Sequence, residues 1–113
     1  MIDVRQTPRF QAWHASLSDH VAQDAVTARL LRMQAGLMGD MKSVGGKIGE
    51  ARIDVGPGYR LYFTRRGLEL ILLLVGGDKS TQAADIAAAK EMVEELDKQK
   101  KKARAGKRKD GKR

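Results

Sequence analysis

Cysteine is absent from the 113 residues, which excludes disulfides and thiolate metal sites. That absence suits a reducing compartment. Residues 1–10, MIDVRQTPRF, lack the apolar core of a secretion signal, so none is expected. The longest apolar run, LILLLV at residues 70–75, is far too short to span a bilayer. A cytoplasmic protein with no membrane partner is expected. Histidine occurs only at His14 and His20, without a metal-site spacing, and no metal or cofactor is expected. The segment Gly76-Gly77-Asp78-Lys79-Ser80-Thr81 has the look of a phosphate loop but not its spacing of glycine and lysine. No serine-nucleophile elbow or carboxylate dyad is visible.

What is abundant is positive charge, and it is unevenly placed. The chain carries a net charge of +8, yet residues 98–113 alone hold +9 and residues 1–97 hold −1. This divides the chain into one domain, 1–97, and a basic tail, 98–113, that need not be ordered. Lys100, Lys101 and Lys102 open the tail. Such a tail binds polyanions, RNA among them, or merely keeps the chain in solution.

Hydrophobic periodicity organises the domain. Ile2 and Val4 flank Asp3 as a short strand. Thr7-Pro8 reads as a helix start, with Phe10, Trp13 and Leu17 on one face. A second helix is expected over 19–35, with Val21, Ala25, Ala28 and Leu31 on its apolar side and Gly36 and Gly39 ending it. Period-two patterning then predicts strands at 48–55, 59–66 and 68–75, with Gly56-Pro57-Gly58 as a turn and Gly76-Gly77 as the stop. The last strand is apolar on both faces, as in a covered central strand. Ser80 or Thr81 is expected to cap a third helix bearing Ile86, Ala89, Val93 and Leu96 on one side. The order is that of an α+β fold: an N-terminal strand and a helical hairpin packed on an antiparallel sheet, then a C-terminal helix. The hairpin is expected on one sheet face, with the other left open.

Strand parity assigns residues to faces. With Val55 opposite Tyr59, Asp54 opposes Arg60 and Arg52 opposes Tyr62. Ala51, Ile53, Leu61 and Phe63 then meet the helices. Arg52, Arg60, Tyr62, Thr64 and Arg66 form a polar face, approached by Lys42, Lys47 and Lys79. Arginine presents a planar fork to phosphate and an aromatic ring stacks on a base. The same pattern also describes an ordinary solvated sheet face.

Several segments resemble the phage-derived addiction-module killer proteins, the HigB-like branch of the RelE/ParE toxins. They are Trp13, Leu17 and Asp19; Ala28-Arg29-Leu30; Gly39 to Val44; Glu50-Ala51-Arg52-Ile53-Asp54; Gly56 to Phe63; and Leu72 to Gln82. The resemblance covers roughly residues 2–90, and its most specific parts are GPGYRLYF at 56–63 and GGDKSTQ at 76–82. Ala51 departs from the branch, which usually has leucine there. The resemblance implies a RelE-like toxin domain. It implies a toxin of a type II toxin–antitoxin pair, an endoribonuclease that cleaves messenger RNA on the 70S ribosome and blocks translation. The implied partners are a helix-turn-helix antitoxin, mRNA and the ribosome, with operator DNA reached only through the antitoxin. ParE relatives share the fold and poison DNA gyrase instead, and a non-catalytic co-repressor is a further possibility. On the ribonuclease reading Arg60 holds the phosphate and Arg52 adds charge. Tyr62 stacks on a base or orients the scissile group, and Lys79 carries a proton or binds phosphate. Lys42, Lys47, Arg66 and Lys100 to Lys102 would contact RNA.

Overall fold

A computed structural model describes the backbone of residues 1–111 and the side chains of residues 1–102. The elements are β1 (Asp3–Gln6), α1 (Pro8–Ser16), α2 (His20–Gln34), β2 (Met41–Ser43), β3 (Gly49–Ile53), β4 (Tyr59–Arg66), β5 (Leu70–Asp78), a 3-10 turn (Lys79–Thr81) and α3 (Gln82–Gly111). This is the expected α+β order. The described residues form a five-stranded sheet in the order β1-β5-β4-β3-β2. The β2–β5 part is an antiparallel meander. β1 adds to β5 in parallel, so the sheet is mixed.

Local chemistry explains most boundaries. Thr7 caps α1, its hydroxyl accepting from the Phe10 N–H at 3.1 Å. Asp19 caps α2 through the Val21 N–H at 2.9 Å. Gly36, at φ +85°, takes the left-handed position that ends α2. The segment after Lys98 continues as helix, since α3 runs to Gly111.

Two faces differ from expectation. The buried side of α2 is Ala22, Val26, Leu30 and Met33, whereas Val21 and Leu31 are exposed. The α2 sequence offers two overlapping apolar stripes, and the bulkier one fills the space under the sheet. The second sheet face is not open. Phe10, Val26, Leu30 and Met33 cover one side with Leu61, Phe63, Ile71 and Leu73. On the other side α3 lays Ile86, Ala89 and Val93 onto Ile48, Tyr62, Leu74 and Val75. This is the α3 face predicted from its periodicity, and β5 is the central strand covered on both sides.

Gly76-Gly77 lies inside β5 and does not stop it. A bulge between Tyr62 and Phe63 of the β4–β5 ladder shifts the strand's facing. Beyond it, a Cβ on Gly76 would enter the Trp13 ring, and one on Gly77 would strike the Asp85 carboxylate. The two glycines let α1 and α3 approach the same strand from opposite sides. Gly76→Ala is expected to lower stability by about 1–3 kcal/mol through overpacking. A urea midpoint equal to wild type would mean that Trp13 moves aside freely.

Candidate active site

The site forms where β3 turns into β4. The loop is longer than expected: Ile53 pairs with Tyr59, Arg52 with Arg60 and Glu50 with Tyr62. The expected Asp54–Arg60 and Arg52–Tyr62 oppositions do not occur, because five residues, 54–58, form the connection. The shift is by two residues, so each side chain keeps its expected face. Arg52 and Arg60 therefore stand side by side on the α3 face. Lys79 joins them because Asp78, the residue before it, pairs with Tyr59. Asp78 accepts from the Ser80 N–H at 2.8 Å and caps the 3-10 turn that carries Lys79. Ser80 and Thr81, expected to cap the third helix, instead lie in this 3-10 turn that leads into α3. Ser80 donates to the Asp78 carboxyl and holds it below the usual carboxylate range.

Arg52, Arg60 and Lys79 line one open cavity of about 340 Å³ with Asp40, Asp54, Pro57 and Tyr59. Arg52 Nη2 donates to Asp40 Oδ1 at 2.9 Å. Arg29 of α2 fixes this corner, its Nη2 donating to the Arg52 carbonyl at 2.7 Å. The bond from Arg52 holds the Asp40 carboxyl below its ordinary range. A depressed folded pKa contributes stability above the unfolded value of about 3.9 and loses it as pH falls through the folded value. Asp40→Asn should therefore lower the urea midpoint slightly near neutrality, with the gap to wild type closing as the medium is acidified. A gap independent of pH would remove the ion pair from the account.

Beneath the cavity lies a group the sequence reading did not single out. Glu50 is fully buried. Its Oε1 accepts from Arg60 Nη1 at 3.0 Å, and its Oε2 from the Tyr62 hydroxyl at 3.1 Å and Gln82 Nε2 at 3.0 Å. A buried carboxylate is tolerated only with such partners. It holds the Arg60 head at the cavity wall, and the Arg60 side chain is only 18% exposed.

Tyr62 does not face the cavity as a stacking surface. Its ring is fully buried under α3, so it cannot stack on a base. Burial and the Glu50 carboxylate push the phenol well above its ordinary range, so it is a hydrogen-bond donor. The tyrosine that lines the cavity is Tyr59, braced edge-on by Trp13 at 6.2 Å between ring centroids. Parity had placed Tyr59 toward the helices, and it touches that core as well. Thr64, also expected on a polar face, is buried and donates to the Lys47 carbonyl at 2.9 Å.

The remaining basic residues separate. Lys42 is exposed on edge strand β2, opposite Glu50. Lys47, Arg66, Lys100 and Lys101 meet at the far end of the sheet, and Lys102 lies outside that groove. Among the described residues no cluster of histidine and acidic side chains could hold a metal. No helix among them is long and apolar enough to cross a membrane.

A Haemophilus influenzae protein, described only as uncharacterized, is 44% identical over 95 residues, or 84% of this chain and 96% of its own length. The two chains belong to one family. No family model matches the chain. The family relation covers nearly all of the Haemophilus protein and leaves 16% of this chain outside it.

Proposed function

We propose that this chain is the toxin of a type II toxin–antitoxin pair, an endoribonuclease that cuts messenger RNA on the ribosome. One observation carries the reading: Arg52, Arg60 and Lys79, from three separate elements, converge on one open cavity. The resemblance of residues 56–63 and 76–82 to the addiction-module toxins supports it from the sequence side, since both segments border that cavity.

The chemistry is attack of a ribose 2′-oxygen on the adjacent phosphorus. The P–O5′ bond breaks, leaving a 2′,3′-cyclic phosphate and a 5′-hydroxyl. One proton leaves the 2′-hydroxyl and one reaches the departing oxygen. Arg60, steadied by Glu50, and Arg52 stabilise charge on the phosphate oxygens. Lys79 exchanges the proton at the cavity mouth. Tyr59 offers an aromatic edge to the base. The ribosome supplies the reactive RNA pose, which lowers the demand on acid–base groups. The partners under this reading are mRNA, the 70S ribosome and a helix-turn-helix antitoxin, with operator DNA reached through the antitoxin.

The test is mapping of mRNA 5′ ends after brief induction, with Arg60→Lys alongside. New in-frame cuts in translated messages, absent in the variant, are expected. Intact messages with arrested growth would point to gyrase, and intact messages with normal growth to a non-catalytic binding protein.

A further inference from the structure

The end of the sheet away from the cavity gathers a second set of cations. Lys47 from the β2–β3 turn, Arg66 from the end of β4, and Lys100 and Lys101 from α3 line a groove of about 290 Å³. Arg66 lies six residue steps along β4 from Arg60, about 20 Å at about 3.3 Å per residue. Asp97 ties two of the cations in place. Its Oδ1 accepts from Arg66 Nη1 at 2.7 Å and its Oδ2 from Lys47 Nζ at 3.4 Å. One carboxylate among four cations leaves the groove positive. Arg66 Nη2 is buried and has no hydrogen-bond partner among the described residues.

The backbone adds an independent observation. Lys47 sits at φ +63°, after Gly45 and Gly46 at +86° and +60°. A glycine would adopt that conformation without strain, whereas a lysine is held there against its preference. The buried Thr64 hydroxyl fixes the Lys47 carbonyl, and Asp97 fixes its ammonium group. A strained residue held at both ends, with its charge aimed into a groove, has a use for its side chain.

We propose that Lys47, Arg66, Lys100 and Lys101 form a second docking site for RNA backbone, separate from the cavity at Arg60. This rests on the reading of the chain as an RNA-directed protein. All five lining residues are charged, so the groove lacks the apolar centre that a folded protein partner ordinarily engages. The lysines present point charges to a phosphate, and Arg66, held by Asp97, adds its positive charge to the groove wall. The groove and the cavity lie at the two ends of the β4 face that α3 covers, so an RNA strand that engages both runs past α3. The groove holds the strand and the cavity acts on it.

The experiment uses the full chain and a fluorescent 2′-O-methyl RNA of about 20 nucleotides, which cannot be cleaved, titrated by anisotropy over a range of salt. Changing Lys47, Arg66, Lys100 and Lys101 together to glutamine should weaken binding at least about tenfold and reduce the salt slope by about 2–3. Lys47→Gly serves as the folding control. It relieves the backbone strain, so its urea midpoint should equal or exceed wild type, while RNA affinity falls. Lys98→Gln with Lys102→Gln controls for charge alone and should cost clearly less than Lys100→Gln with Lys101→Gln. An unchanged salt slope in the quadruple variant, or equal losses in the two lysine pairs, would overturn the site. Loss of polyglutamate binding with RNA binding intact would assign the groove to an acidic protein and overturn it too. Groove variants that lose RNA while Arg60→Lys stays fully toxic would leave the groove standing and remove the proposed ribonuclease function. The reverse pattern would remove only the groove.

Discussion

Arg60→Lys is expected to leave the chain folded and to cut RNA cleavage about 100- to 1,000-fold, the usual loss for one charge-stabilising donor in an active site. The reason is geometric. Arg60 Nη1 is committed to Glu50 Oε1 at 3.0 Å, inside the protein. Only a guanidinium has further N–H groups, in fixed directions, to offer the cavity. A lysine ammonium can pair with Glu50 or with a phosphate, but its compact head cannot span both. The measurement is single-turnover cleavage on programmed ribosomes, paired with a urea midpoint for each protein. Cleavage within threefold of wild type would take Arg60 out of the site. A low rate joined to a collapsed midpoint would report lost folding instead, which is why the substitution keeps the charge.

Arg60→Ala is expected to cost about 3–5 kcal/mol of stability, because it strands a buried carboxylate. Glu50 is fully buried, and Tyr62 and Gln82 provide only neutral donors for the remaining charge. Native domains hold roughly 5–15 kcal/mol in total, so this loss is a large share. Adding Glu50→Gln to Arg60→Ala should restore part of it, with a coupling of about 2–3 kcal/mol in a double-mutant cycle. A cost under about 1 kcal/mol for Arg60→Ala alone would mean that Glu50 is not the buried anion described. Loss of toxicity in Arg60→Ala therefore has two causes that Arg60→Lys separates.

The shared face of Arg52 and Arg60 was legible because strand parity depends on neighbours in sequence, whereas Lys79 joins them only through the pairing of Asp78 with Tyr59. Glu50 was not legible as a buried group. It shares a face with Arg52 along β3, and a lone acid beside a basic stripe reads as a solvated charge. Its burial follows from Gln82 and α3, which are distant in the chain. Tyr62 was placed on the correct face and given the wrong surroundings, for the same reason. Parity says which residues share a face and nothing about what covers it.

By itself the sequence determined the element order apart from β2, the helix start at Thr7-Pro8, and the side α3 presents to the sheet. These rest on local propensity and periodicity. Tertiary structure decided which α2 stripe is buried, the two-residue shift between β3 and β4, and the passage of β5 through Gly76-Gly77. It also decided that α3 seals the second sheet face and turns Glu50 and Tyr62 into the support of Arg60. Those outcomes depend on the volume and charge of groups that meet only after the chain has closed on itself.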